Sequence, residues 1–400
     1  MNKIFTLIGL ALCFSSFGQD QWIKRDSVNG APRSVSAAFV ADGDGFIVGG
    51  LDFDGFRRKA YSYTPWQDDW DDEPSIGGLN GSGLARGNAS GFGALGKGYI
   101  CLGQGETNGF FKDLWEFDPV TNVWTQKADF IGSPRRQAVA FSVFDKGYVG
   151  TGYDANGYCK DMYEYDPTTN VWIQKNDFGG TARKEAVGFT MGHLAFVGTG
   201  DDGVMKKDFW QYDPATDNWT QKTDMPGTAR KGAVGWGQWP QAFICTGEDI
   251  NFNFTTDLWE YNYWGDTWTQ RADFIGAGRS NAIAFVLGDV AYVGTGYDGQ
   301  FYDDFYAYQR VLNVGEIMSN ANVNVFPNPV VDDFRITSDI YGLTVKIIDL
   351  NGKDVTSRIS IKPNGKNFEL SRNGVEPGNY MIQLYLPEIG KIYDGKVIFV

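Results

Sequence analysis

One segment recurs along the chain with a spacing that leaves few folds open. A Trp is followed eleven residues later by an Arg at Trp22/Arg33, Trp124/Arg135, Trp172/Arg183, Trp219/Arg230 and Trp268/Arg279. A further copy, Trp70 to Arg86, is stretched to sixteen by a glycine-rich insertion. Seventeen residues after each Arg stands a Gly: Gly50, Gly103, Gly152, Gly200, Gly247 and Gly296. The run before that Gly reads as a strand, as in Gly147 to Gly152. An aromatic strand follows, as in Leu114 to Phe117 or Met162 to Tyr165, and a turn such as Asp118-Pro119 or Asp166-Pro167 closes it. Pro after Asp presets a tight turn. Glycine fills 52 of the 400 positions and aromatics make up 16%, the mixture expected of short strands joined by tight turns.

Each unit is thus four short strands in about fifty residues, the pattern of a propeller blade. The last unit, Arg279 to Tyr308, has three strands, whereas Trp22 has none before it. The N-terminal strand at Trp22 is therefore expected to complete a sixth blade and close the ring, which removes open sheet edges. Across 19–310 the units resemble kelch repeats, with a small-residue–Gly pair, a Tyr/Trp pair and the Asp-Pro turn in the family's order. The usual Gly-Gly survives only as Gly49-Gly50. The resemblance implies a six-bladed kelch-type β-propeller.

The two ends differ from this middle. Lys3 followed by the apolar run Ile4 to Phe14 reads as a signal peptide over 1–18, too short to span a bilayer. No later apolar run is long enough to cross a membrane. Val311 to Ala321 is a polar linker, and alternating strands fill 322–400. Three motifs there resemble the type A C-terminal sorting domain of the type IX secretion system: Phe326-Pro327-Asn328-Pro329, Val345 to Gly352, and Val375 to Tyr380 with Gly378 inside it. That resemblance implies a small immunoglobulin-like β-sandwich. It also implies the type IX secretion machinery as a partner, and a secreted or cell-surface protein of a Bacteroidota-type bacterium.

Composition removes several functions. Net charge is −14, which disfavours nucleic acid, since affinity for phosphates comes from Lys and Arg. With the signal peptide removed three cysteines remain, Cys101, Cys159 and Cys245, too few for a disulfide scaffold. His193 is the only histidine, so metal sites needing two imidazoles are excluded, including that of the copper galactose oxidases built on similar propellers. The acidic run Asp68 to Glu73 reads as a solvated loop and Asp42 to Gly45 as a hairpin turn, so neither a metal nor a cofactor is expected.

The candidate chemistry lies on one face. Arg33, Arg86, Arg135, Arg183, Arg230 and Arg279 follow the blade-to-blade loops and ring one mouth of the channel. Two residues past the repeat Gly stands Asp52, Asp154, Asp202, Asp249 or Asp298, so a repeated structural Arg–Asp pair is expected. The second blade breaks this rule, with Gly105 and Glu106 at that place and the insertion beside it, so Arg86 and Glu106 are candidate ligand residues. Arg136, Lys184 and Lys231 follow three consecutive ring arginines, where Ser34, Gly87 and Ser280 stand elsewhere. They give the mouth a cationic side suited to a small anionic or polyhydroxylated ligand, or to a protein loop. The leading expectation is a secreted binding protein with a possible glycan or protein ligand. The alternatives are a carbohydrate-active enzyme resembling the sialic acid mutarotases, with acid–base pairs such as Glu106/Arg86 or Glu185/Lys184, and a structural component of the envelope.

Overall fold

In the computed structural model of the chain each repeat becomes a four-stranded antiparallel sheet, and burial falls from its first strands to its last. In the third sheet the strands are Val139–Val143, Lys146–Gly150, Met162–Asp166 and Val171–Lys175, paired in that order. Val139, Phe141 and Val143 alternate with half-buried residues, the pattern of a strand covered mainly on one face. The second strand is buried almost throughout, because neighbouring sheets cover both its faces. On the outermost strand Trp172 alone is buried.

The structure describes residues 20–78, 84–106 and 109–310, and after them 323–326, 328–338, 343–349, 353–364, 367–372, 374–386 and 390–399. They fall into two compact units, one of them Asp20–Arg310. The expected signal peptide, the linker 311–321, Pro327, Gly352 and most of the glycine-rich insertion lie outside the described residues. Apart from a three-residue 3-10 turn at Thr356–Arg358, the regular elements described are all strands.

Among the described residues of the first unit six such four-stranded sheets occur in chain order. The sixth combines Ile283–Leu287, Val290–Gly294 and Phe305–Gln309 with the N-terminal strand Gln21–Arg25, whose Trp22 lies opposite Tyr308. The first strand of each sheet touches that of the next, and Ile283–Leu287 touches Ala37–Ala41. No individual sheet closes on itself. Five of the six repeat tryptophans, all but Trp219, fasten sheet to sheet through the indole N–H. Trp22 Nε1 donates to Ala272 O (2.9 Å), Trp124 to Pro74 O (2.7 Å), Trp172 to Ala128 O (3.0 Å) and Trp268 to Thr223 O (2.8 Å). Their rings are packed among aromatic neighbours, as Trp172 is against Phe130 and Tyr165.

The C-terminal unit packs two sheets on one core. One pairs Val323–Phe326, Asp333–Ser338, Asn367–Arg372 and Ile359–Asn364; the other pairs Thr344–Asp349, Gly378–Leu386 and Gly390–Phe399. Phe334 and Ile336 from the first meet Ile347 and Ile382 from the second.

Candidate functional site

The six ring arginines are structural. Each is 2% exposed or less. Five hold a carboxylate with both terminal nitrogens: Arg86 with Asp113 (2.7 and 2.7 Å), Arg135 with Asp161 (2.5 and 2.8 Å), Arg183 with Asp208 (2.5 and 2.8 Å), Arg230 with Asp257 (2.6 and 2.7 Å), and Arg279 with Asp304. Bidentate pairing of this kind is the strongest that Arg makes. Burial works to raise the carboxyl pKa values, yet the guanidinium beside each holds Asp161, Asp208 and Asp257 below the usual range.

These are not the partners the spacing suggested. The Asp that follows the repeat Gly does lie opposite the Arg in backbone register, as Arg135 faces Asp154 and Arg230 faces Asp249. Its carboxylate, however, accepts mainly from its own loop, and Asp154 reaches Arg135 only through Ser133 Oγ, which donates to it at 2.6 Å. Asp154 accepts from Asn156 N (2.7 Å), Asp249 from Asn251 N (2.8 Å) and Asn253 N (2.9 Å), Asp298 from Tyr302 Oη (2.7 Å), and Asp202 pairs with Lys206 (2.8 Å). Asp52 accepts from Asp54 N and Arg57. A short acidic side chain satisfies the backbone two residues on more cheaply than it reaches a distant guanidinium. The true partner is the Asp just before the aromatic third strand, a position legible in five repeats and occupied by Lys59 in the first. Arg86 therefore belongs to this framework and offers no free guanidinium to a ligand. Glu106 is exposed, and its Oε1 covers the Cα of Gly55 in the neighbouring loop.

Two residues past each Arg a second circle forms. Val35, Asn88, Gln137, Glu185, Gly232 and Asn281 all have positive φ, between 51° and 60°. The N–H of each donates to the carbonyl of the preceding member, from Asn88 N to Val35 O (2.8 Å) round to Val35 N to Asn281 O (3.1 Å). Five non-glycine residues in the left-handed region are costly, and the cyclic hydrogen bonds hold them there. Together these six line a cavity of about 120 Å³. A second cavity, of about 190 Å³, is lined by the small residues of the six first strands.

Glu185 is the acidic member of the circle. Its side chain is 7% exposed, Lys184 Nζ lies 3.7 Å and Lys231 Nζ 4.0 Å from Oε2, and that oxygen has no hydrogen-bond partner. Burial pushes its carboxyl pKa up, against the pull of the two ammonium groups. The expected cationic side is thus brought together, but it is not purely cationic. Lys184 is 3.9 Å from Asp201, and Lys231 is 3.9 Å from Glu248. Arg136 bonds Gln104 and lies over the Phe110 and Tyr153 rings. Lys184 shares the Tyr153 ring. Tyr153, Asp201 and Glu248 escaped the sequence reading; each is the residue just after a repeat Gly, in register with Arg136, Lys184 and Lys231.

In the C-terminal unit the motif residues cluster at one end of the last strands. Asn328 Oδ1 accepts from Ile398 N (2.9 Å), and Tyr380 Oη donates to Glu376 O (2.9 Å). Phe326 is 46% exposed, Pro329 is exposed, and Gly378 opens the long strand to Leu386. Residues 324–389 match the secretion system C-terminal sorting domain. The tail is a sorting domain. It links the chain to the type IX secretion machinery and places it at the cell surface or in the extracellular space. Among the described residues no helix is long and apolar enough to cross a membrane. No curated protein matches the chain. Among solved structures, the chain is similar to the one titled "Structure of YjhT", at 15% identity and a TM-score of 0.60, over 72% of this chain and 99% of that one. The likeness shows the fold alone, an all-β, propeller-like one.

Proposed function

We propose that the chain is a type IX-secreted binding protein: a six-bladed, kelch-type propeller over 19–310, closed by its N-terminal strand, with a signal peptide over 1–18, a linker over 311–321 and the sorting domain over 322–400. The pairing of Gln21–Arg25 with Phe305–Gln309 and the circle of six backbone hydrogen bonds support that architecture. The ligand is a small anionic or polyhydroxylated molecule, held at the mouth by Glu185, Lys184, Lys231 and Arg136. The observation that carries this reading is Glu185, a carboxylate nearly shut off from water yet not hydrogen-bonded at one oxygen, placed where the cavity opens between two ammonium groups. A buried carboxylate left short of donors is costly, and hydroxyl groups of a ligand would supply them.

The reading is tested by calorimetric titration of the mature protein with neutral monosaccharides and uronic acids. Binding of at least one is expected, with a loss of tenfold or more in Glu185→Gln and in Lys231→Ala. Affinity unchanged in both variants would sink it. The same raised carboxyl favours a second reading, acid–base catalysis of sugar ring opening with Glu185 and Lys184 as the proton-handling pair. Faster exchange of anomers in proton NMR, abolished by Glu185→Gln, would select it.

A further inference from the structure

The mouth face has two unlike halves, and the half opposite Glu185 carries aromatic rings without charge at its inner edge. In sheets three to five the inner positions are Arg136, Lys184 and Lys231; in sheets six, one and two they are Ser280, Ser34 and Gly87. Outside those small residues the loops of sheets six and one lean together. The Phe53 ring is 81% exposed and meets Phe301 edge to face at 5.1 Å. Phe301 in turn lies 5.1 Å from Tyr297, which is 38% exposed. The result is a short aromatic band bridging two loops that are far apart in sequence. Groups able to bond hydroxyls stand beside it: Asp54, whose side chain is 84% exposed, and the Gln300 amide, bonded to Tyr302 Oη at 2.9 Å.

We infer that this band is a stacking platform for a neutral glycan chain. Three observations select that occupant. Three rings, each offering at most about 250 Å², fall short of the roughly 800 Å² a side that a stable protein interface needs. The chain's net charge of −14 works against a second copy of itself and against anionic chains, whereas a neutral sugar meets no such field. The sorting tail also delivers the protein to the cell surface or beyond. A sugar ring has an apolar C–H face for Phe53, Phe301 and Tyr297, and equatorial hydroxyls that can bond Asp54 and Gln300 at the edges of the band. This platform is separate from the Glu185 cavity, so either can fail without the other.

Affinity electrophoresis of the full mature protein in gels containing laminarin, mannan or soluble starch tests it, with alginate as the anionic comparison. Retardation by at least one neutral polysaccharide and none by alginate is expected. Phe53→Ala, a change at an exposed side chain, should reduce the retardation at least fivefold, and Phe53→Trp should keep it. Val120→Ala, at an exposed side chain of the turn after Leu114–Asp118, should leave it unchanged. Migration unaffected by all three neutral polysaccharides overturns the inference, as does retardation that persists in Phe53→Ala.

Discussion

The first repeat and the five that follow it answer the same problem differently. In sheets two to six a buried Arg is locked to a carboxylate, and an aromatic N–H or O–H closes the arrangement, as Trp210 Nε1 does on Asp208 (2.8 Å) and Tyr163 Oη on Asp161 (2.9 Å). In the first repeat Lys59 stands at the carboxylate position and points to Asp72 (3.3 Å). Arg33, 2% exposed, is left with carbonyl oxygens and the Tyr61 hydroxyl at 3.3 Å, while its Nη1 has no partner. The Tyr61 ring lies 4.7 Å from the guanidinium, the service that Phe178 gives Arg183 and Phe274 gives Arg279 at 5.0 Å. Val28 occupies the corresponding position in the first repeat and is too small to stack. A repeat thus tolerates the loss of its ion pair when a neighbouring ring takes over part of the cation's environment, and the two arrangements should differ in energy.

The largest expected effect lies in the paired repeats. Asp208→Ala leaves the buried Arg183 without its counter-charge and frees the Trp210 N–H. Breaking a buried pair from one side costs about 3–5 kcal/mol, so urea unfolding should show a loss of that order. A loss below about 1 kcal/mol would mean that the pairs are ornaments on the fold. The comparison sharpens when the arginines themselves are replaced. Arg183→Met strands the Asp208 carboxylate and should cost about 3 kcal/mol, whereas Arg33→Met strands no charge and should fall within about 1 kcal/mol of the parent, since apolar replacement of a poorly compensated buried ion is often neutral. Equal losses at the two positions would erase the distinction drawn between the repeats.

Much of the all-β architecture was legible because it is written many times. The Trp-to-Arg and Arg-to-Gly spacings recur, each recurrence is a hairpin-and-turn signal, and the four-stranded sheets follow from them. The sorting tail was legible from three short motifs. Side-chain partnership was not. Asp154 keeps a constant spacing from its Arg along this chain, whereas the Asp161 position shifts by one or two residues between repeats, and backbone register also favours Asp154. What decides is that Asp154 can satisfy Asn156 N locally (2.7 Å), a competition that no residue spacing encodes. The mouth was half legible for the same reason. Lys184 and Lys231 stood out as departures from Ser and Gly, but Asp201 and Glu248, which answer them, lie outside the repeat's constant positions. Glu185 and Lys184 were legible as an acid–base pair, but the burial of that carboxyl and its place at the cavity came only with the circle of left-handed residues.

The smallest effect is the most diagnostic, because it converts the first repeat into one of the others. Lys59→Asp puts a carboxylate where the other five repeats have theirs, within reach of the unpaired Arg33 Nη1 and of the Tyr61 hydroxyl. It gives up the exposed contact with Asp72, worth at most about 1 kcal/mol, and supplies a buried guanidinium with its missing counter-ion, so a net gain of about 1 kcal/mol at neutral pH is expected. The pH dependence carries the sign. A carboxyl whose folded-state pKa lies below its unfolded value, as those of Asp161, Asp208 and Asp257 do, contributes stability that is present above the unfolded pKa and lost as pH falls through the folded one. The gain from Lys59→Asp should therefore disappear on acidification, and thermal melts of parent and variant should converge as the carboxyl protonates. A gain that persists at low pH would trace to removing Lys59 rather than to pairing Arg33, and a variant less stable at neutral pH would show that the Tyr61 ring already fills the place where the carboxylate must sit.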